Sequence, residues 1–485
     1  AVAVLGSAVA SIEATVINVA LPTIGRDLGA DVAGLQWTLN GYLLTLASLI
    51  LVGGSLGDRF GRRRVFTIGV AWFTIASVLC ALAPSVGALV AARVLQGVGG
   101  ALLTPGSLAI IQSSFHREDR ARAIGAWSGL GGIAGAIGPL VGGLLVQAWS
   151  WRLAFLINLP LGLAVIWLTR RYVPETHDES MTGRPDLWGS VLGALGLAGV
   201  TGALVEAPGR GAGDPLVVVA GVCGVAALVA FVMLQRRQRN PLVPPDIFAN
   251  RTFVVANLLT FVVYAALGGV MMLFVIQLQV SLGYAPTLAG IASLPISAIM
   301  LLLSARSGKL AQRFGPKPFL VAGPLVIALA MLMYTRVTPG ASYVLTVLPA
   351  VIVFGLGLAC VVAPVTATVL AAAADRHAGV ASGVNNAIAR TGGLLAIAVL
   401  PAAAGLTGES YADPAAMTSG WQAAMWICAG LCVAGGVIAL GVRNDVFAPA
   451  RPGPAADGPS SADCFSCGLS APPTHLRPAP RRVPR

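Results

Sequence analysis

Apolar stretches of about 20 residues recur almost from one end of the chain to the other, with few charges between them. A helix of that length matches the ~30 Å hydrocarbon core of a bilayer. Only 10% of the 485 residues are charged and 56% are hydrophobic, whereas a soluble domain carries roughly 25% charged residues. Such a chain cannot clothe itself for water, and an all-α polytopic membrane protein is expected. The 59 glycines fit helices that approach one another closely in lipid.

The expected spans are 1–22, 35–57, 65–83, 86–113, 121–147, 151–170, 187–206, 215–234, 252–278, 287–305, 317–335, 342–370, 379–404 and 420–442, fourteen in all. The chain begins without Met, so a trimmed start is expected; the first stretch reads as a true span and not a signal peptide. The net charge of +12 does not point to nucleic acid, because the basic residues sit in short loops between apolar runs. Nearly all of them fall after even-numbered spans or in the C-terminal tail. The alternate loops hold only Arg26, Arg152, Arg210 and Arg336. Positive loops stay inside, so both termini are expected in the cytoplasm of a cell membrane. Lysine occurs only at 309 and 317, a bias that points to a GC-rich bacterial genome.

The longest cytoplasmic loops flank spans 7 and 8. Removing that pair leaves six spans on either side: a bundle over 1–172, a linker over 173–250, a second bundle over 251–445, and a disordered tail over 446–485 rich in Pro, Ala, Ser and Arg. A weak repeat relates the halves. Gly54, Gly57, Asp58, Arg59, Gly61, Arg62, Arg63 and Arg64 follow span 2, while Gly308, Gln312, Arg313, Gly315 and Lys317 follow span 10. Internal repeats of this kind are typical of transporters.

Glu13 is the one acidic residue well inside a span. Such a charge is expensive in lipid and usually functional. Gly6, Ala10, Ile17 and Ala20 share its helix face, so that face turns to protein or to a cavity. A proton site and a static ion pair are the two readings, and the first is favoured. Arg93 in span 4 shares a stripe with Gln96, Gly97, Gly100 and Thr104. At 1.5 Å per residue, Glu13 lies about 14 Å and Arg93 about 10 Å from the outer ends of their spans. Their similar depths make a pair plausible. Asp58 weakens the positive anchor around it and reads as a gate latch that pairs with an Arg or caps a helix; Arg62, Arg63 and Arg64 alone would be anchors. Gly138 and Pro139, with Gly131, Gly135, Gly142 and Gly143, make span 5 a close-packing and bending helix. Arg390, near the middle of span 13, and Asn386 one turn before it either meet a substrate or fix polar packing. Asn18, Gln96, Gln36, Trp37, Asn40, Gln112, Tyr264, Gln277 and Gln279 are further cavity candidates.

Cys464 and Cys467 form a lone CxxC in the tail, without the second pair or histidines that zinc needs. No GxxxxGK[ST] loop is present to cradle ATP. Neither a metal nor a cofactor is expected, and no nucleophile–base constellation suggests an enzyme.

These residues resemble the major facilitator superfamily. Gly54 to Arg64 looks like its loop between the second and third helices; Arg93, Gln96 and Gly97 are similar to its fourth-helix motif; Gly138, Pro139, Gly142 and Gly143 resemble its fifth-helix antiporter motif. The stretches Glu13 to Pro22 and Trp151 to Pro160 look like the 14-span drug/proton antiporter branch. The resemblance covers about residues 1–445. It implies the major facilitator fold, with two six-helix bundles around a central cavity and two inserted linker helices, and proton-driven export of amphipathic small molecules such as drugs, dyes or antibiotics by alternating access. Carried over, Glu13 and Arg93 would couple protons, Asp58, Arg59, Gly61 and Arg62 would gate, and Gly138 and Pro139 would form the bundle interface. Glu13 stands where that branch has Asp, Ala134 where the fifth-helix motif often has Gly, and Gln312 where a matching acid would lie. The scarcity of intramembrane acids argues against multiply charged cations as cargo. A dedicated exporter of one metabolite, or a sensor using the same fold, are the rival readings.

Overall fold

The computed structural model describes residues 2–114, 134–135, 137–176, 186–238, 241, 243–373, 378–407, 411 and 413–447. Among these there is no strand. The helices are α1 (Val2–Leu28), α2 (Val32–Phe60), α3 (Arg62–Ala81), α4 (Val86–Ser114), α5 (Ile137–Ala148), α6 (Arg152–Leu156), α7 (Asn158–Tyr172), α8 (Leu187–Arg210) and α9 (Pro215–Arg237). They continue with α10 (Arg251–Val280), α11 (Pro286–Ala292), α12 (Leu294–Phe314), α13 (Lys317–Tyr334), α14 (Leu348–Ala372), α15 (Ala378–Ala403) and α16 (Pro414–Ala439). Twelve segments among the described residues are long and apolar enough to cross a membrane. The 29-residue α2 and the shorter apolar α5 stand beside them. Most of expected span 5, including Gly131, lies outside the described residues, as do Cys464, Cys467 and the rest of the tail from 448.

Prolines and caps explain where helices break and start. Expected span 6 is two helices, α6 and α7, because Pro160 has no N–H for the Leu156 carbonyl and its ring crowds that carbonyl. Span 10 likewise divides at Ser293, just before Pro295. Span 12 opens with a π turn at Tyr343–Val347, ahead of Pro349. The last span starts at Pro414, earlier than hydropathy suggests, because Asp413 accepts from the N–H groups of Ala415 and Ala416. Asp31, Asp186, Asp214 and Asn250 cap α2, α8, α9 and α10 in the same way.

Among α1–α7, α4 packs on α2, α3 and α1, and α7 on α3 and α1. Among α10–α16, α10 packs on α15, α16 and α14, and α14 on α12 and α13. Close crossings rest on glycine: a Cβ on Gly99 would sit 2.6 Å from the Phe73 nitrogen, and one on Gly392 would sit 2.6 Å from the Phe261 carbonyl. Outward faces carry exposed Ile68, Trp72, Ile75 and Leu79 on α3, and Val218, Val222, Val225 and Val229 on α9, as a lipid-facing surface requires. α8 and α9 pair with each other. α8 also leans on α2 and α15, one helix from each bundle, and Glu206 accepts from Trp37 Nε1 at 2.9 Å.

The bundles meet along a seam. Gln36 Nε2 of α2 donates to the Ile397 carbonyl of α15 at 2.7 Å, and Gln279 Nε2 of α10 donates to the Val19 carbonyl of α1 at 3.0 Å. A Cβ on Gly143 would lie 2.7 Å from the Pro286 carbonyl oxygen, and one on Gly290 would collide with the Pro139 carbonyl. All these contacts lie toward the ends of the helices away from the arginine-rich α2–α3 loop.

That loop turns at Gly61, whose φ of 106° suits only glycine. Glu175, just past α7, accepts from the N–H groups of Arg63 at 3.0 Å and Arg64 at 3.2 Å, so it caps α3. The second half repeats the arrangement with an amide: Gly315 has φ 86°, and Asn444 accepts from the Lys317 N–H at 3.2 Å. The Asp58 side chain lies outside the described residues, so the latch expected of it has no described contact; the cap here is Glu175. Arg59 lies over the Phe60 ring at 5.5 Å, and the Arg62 N–H donates to the Thr176 carbonyl.

Candidate functional site

Glu13 and Arg93 meet. Arg93 Nη1 donates to Glu13 Oε1 at 2.6 Å, and the two side chains keep only 2% and 1% of their surface exposed. Five elements hold the pair. α1 brings Glu13. α4 brings Arg93 and, one turn on, Gln96, whose Oε1 accepts from the same Nη1 at 2.6 Å. α2 offers the Thr38 carbonyl to Arg93 Nε at 3.0 Å. α3 brings Ser77, which accepts from Gln96 Nε2 at 2.8 Å, and Cys80, whose thiol lies 3.7 Å from Gln96 Oε1. The break at Ile157 starts α7 with Asn158, whose Nδ2 donates to Glu13 Oε2 at 2.6 Å.

Each Glu13 oxygen therefore accepts one short bond, and the guanidinium spends its donors on a carboxylate, an amide and a main-chain carbonyl. The Tyr42 ring lies 4.6 Å from the guanidinium carbon and the Phe155 ring 5.9 Å, within the range of a cation–π attraction. Burying two ions costs several kcal/mol each, and their mutual attraction together with these hydrogen bonds offsets that cost. The arrangement can take up one proton: adding it to Glu13 cancels the attraction and leaves Arg93 buried without a counter-charge.

The cluster is wired to the seam through two helices. On α1, Glu13 is followed by Val16, which a Cβ on Gly142 would approach to 2.7 Å, and by Val19, which takes the Gln279 bond. On α2, Gln36 of the seam lies two residues before Thr38 of the cluster. α5 fills the space between: Gly138 faces Thr15 and Ile12 of α1, while Pro139 and Gly143 face Gly290 and Pro286. A bulky residue at 290 would push against the Pro139 main chain. Gly290→Leu should leave the protein folded but disfavour closure of the seam at least about tenfold, a ratio that ~1.4 kcal/mol of seam strain produces; spin-label distances across α5 and α11 should lengthen. Unchanged distances would count against the seam.

The other expected site residues are scattered. Gln96, expected at a cavity, is fully enclosed in the cluster. Asn18 is half-buried and bonds to the Ala14 carbonyl of its own helix; exposed Asn386 bonds to Ser382. Arg390 is half-buried at the middle of α15, with no hydrogen bond or ion pair among the described residues. Asn158, Ser77, Cys80, Thr38 and Tyr42 were not singled out from sequence. Asn158 alone left a signal there, an amide two residues before a proline in an apolar span.

The Major Facilitator Superfamily model matches residues 3–397. The puromycin resistance protein of Streptomyces alboniger is 37% identical over 418 residues, covering 84% of this chain and 83% of that protein. The methylenomycin A resistance protein of Bacillus subtilis is 33% identical, covering 84% and 87%. The tetracenomycin C resistance and export protein of Streptomyces glaucescens is 34% identical, covering 82% and 73%. Among solved structures, a peptide transporter of the POT family in complex with sulfate has TM-score 0.69 at 14% identity, covering 92% of this chain and 94% of that one. A bacterial homologue of the lysosomal transporter Spinster, inward-facing and unoccupied, has TM-score 0.65 at 19% identity, covering 91% and 96%. These two share the fold. The chain belongs to the Major Facilitator Superfamily. It is a multi-pass membrane transporter and not an enzyme.

Proposed function

We propose that the chain exports amphipathic small molecules, drugs or antibiotics among them, in exchange for protons. The observation that carries this reading is the enclosed Glu13–Arg93 pair, joined through α1 and α2 to the contacts that close the seam. Relatives named for antibiotic resistance and export support the cargo class. In this reading the chain has fourteen spans. α2 and a fifth span ending in α5 join the twelve, and spans 7 and 8 (α8 and α9) are inserted between bundles 1–172 and 251–445. The basic loops face the cytoplasm with both termini, so the closed seam is external and the cavity opens inward. A proton arriving from outside in the opposite state neutralises Glu13, Arg93 releases its hold, and α1 and α2 shift with the seam bonds they carry. Asp58, Arg59, Gly61 and Arg62 gate the cytoplasmic side.

A dedicated exporter is the second reading, favoured by relatives each named for a single antibiotic. Reconstituted protein under an imposed pH gradient, offered a panel of neutral, cationic and anionic compounds, decides between them. Uphill movement of several unrelated compounds supports the first reading and of one compound the second. No gradient-driven movement of any would overturn both.

A further inference from the structure

Well inside the spans, away from their ends, the sequence offers two guanidiniums, Arg93 and Arg390, and one carboxylate, Glu13. Glu13 is already committed to Arg93 and Asn158. Arg390 thus has no counter-charge among the described residues. It lies about 18–20 Å from either end of α15, too far for its side chain to reach an interface by snorkelling. A charge at that depth persists only beside water, a partner or a ligand.

Its neighbourhood lies between the bundles. α15 runs antiparallel to α2 along the seam, with Ile397 at Gln36. Three turns down, Ala387 joins the apolar cluster that contains Tyr42 and Leu46. On the other side Gly392 abuts Phe261, and a Cβ on Gly393 would lie 3.7 Å from the Tyr264 carbonyl oxygen. Arg390 therefore sits where α2, α10 and α15 converge, near Tyr42 on α2 and Tyr264 on α10. Tyr42 itself lies against Arg93, its ring 4.6 Å from the guanidinium carbon. The same register sets Asn40 about one turn further along the seam; that amide is fully buried and bonds to nothing on either end. A buried amide without partners is costly, and an unpaired guanidinium nearby adds a second unmet need for an acceptor.

We propose that Arg390, flanked by Tyr42 and Tyr264, is the polar anchor for the cargo, taking an acceptor oxygen (carboxylate, enolate or ring carbonyl) and turning away permanent cations. The aromatic rings suit a planar body behind that oxygen. Arg390 supplies the forked donor and Asn40 the next hydrogen bond as the seam parts. A fixed cation would face two guanidiniums against one carboxylate, and like charges held together in a low-dielectric site reject a ligand as effectively as contacts select one. This inference rests on the transport reading for its meaning, since it names the cargo of the same cavity.

Three probes on one scaffold test it: anthracene-9-carboxylate, its methyl ester, and (9-anthracenylmethyl)trimethylammonium, titrated by fluorescence into the purified full chain. The carboxylate and the ester should each bind at least about tenfold tighter than the ammonium. Arg390→Gln should shrink that preference to about twofold or less, and Arg390→Lys should keep its order. An ammonium that binds as well as the ester, or a preference that Arg390→Gln leaves intact, overturns the proposal. Should Arg390→Gln fail to fold, the wild-type order and Arg390→Lys decide. Binding needs no flux, so the expected order without gradient-driven transport would sink the transport reading alone. Uphill pumping of the ammonium would sink this inference alone.

Discussion

Replacing Glu13 with Gln is expected to abolish proton-driven accumulation while leaving passive exchange of substrate intact. Gln is nearly isosteric: its one oxygen can accept from Arg93, and its amide N–H can donate to Asn158 Oδ1, which accepts no bond among the described residues, once that amide turns. The pocket stays filled, although Arg93 loses its counter-charge and the protein some stability with it. What Gln lacks is a charge that comes and goes. Coupling is a free energy shared between two binding events, and it vanishes when one of them no longer occurs. Gradient-driven transport should fall at least about a hundredfold, the rate ratio that ~2.7 kcal/mol represents. Counterflow, which needs alternating access without protons, should stay within a few-fold of wild type. Glu13→Asp keeps the carboxylate with a shorter reach and should retain coupling at reduced rate. A Gln variant that still pumps uphill would remove Glu13 from the mechanism.

Arg93→Leu should do the opposite and damage the fold first. It leaves an enclosed carboxylate with only Asn158 as donor, and breaking one side of a buried pair costs about 3–5 kcal/mol. The Thr38 carbonyl also loses its Nε donor and Gln96 Oε1 its Nη1 donor. The protein should unfold at markedly lower temperature in detergent and reach the membrane in lower amount. Adding Glu13→Gln removes the orphaned charge, so the double variant should recover most of the stability and none of the coupling. That non-additivity is what a direct pair requires. Two independent losses that simply add would contradict the contact.

Much of this was legible in the sequence because lipid leaves a chain so few options. Apolar length gave the helices. Residue rise along two antiparallel spans was enough to bring Glu13 and Arg93 to one depth, and they do touch. Gly138 and Pro139 were expected between the bundles, and the carbonyl of Pro139 meets Gly290 there. What stayed hidden depends on partners far apart in the chain. Pro160 announces a bend, yet nothing local says that the bend delivers Asn158 to Glu13. Gln96 shares a stripe with Arg93, and only packing against α3 reveals that it is walled in. Glu175 lies in a loop that reads as a polar linker, and its role as a cap appears only when α3 arrives beside it. Asp413 was readable as a cap, but the Thr418 and Ser419 that follow dilute the hydropathy and delay the apparent start of α16.

The most direct test of Glu13 as the proton carrier uses vesicles with a pH-sensitive dye inside and an exported compound concentrated on one side. As that compound runs down its gradient, wild-type protein should drive protons the other way, and Glu13→Gln should pass the compound with no change in dye signal. Equal proton movement through both proteins would contradict the account.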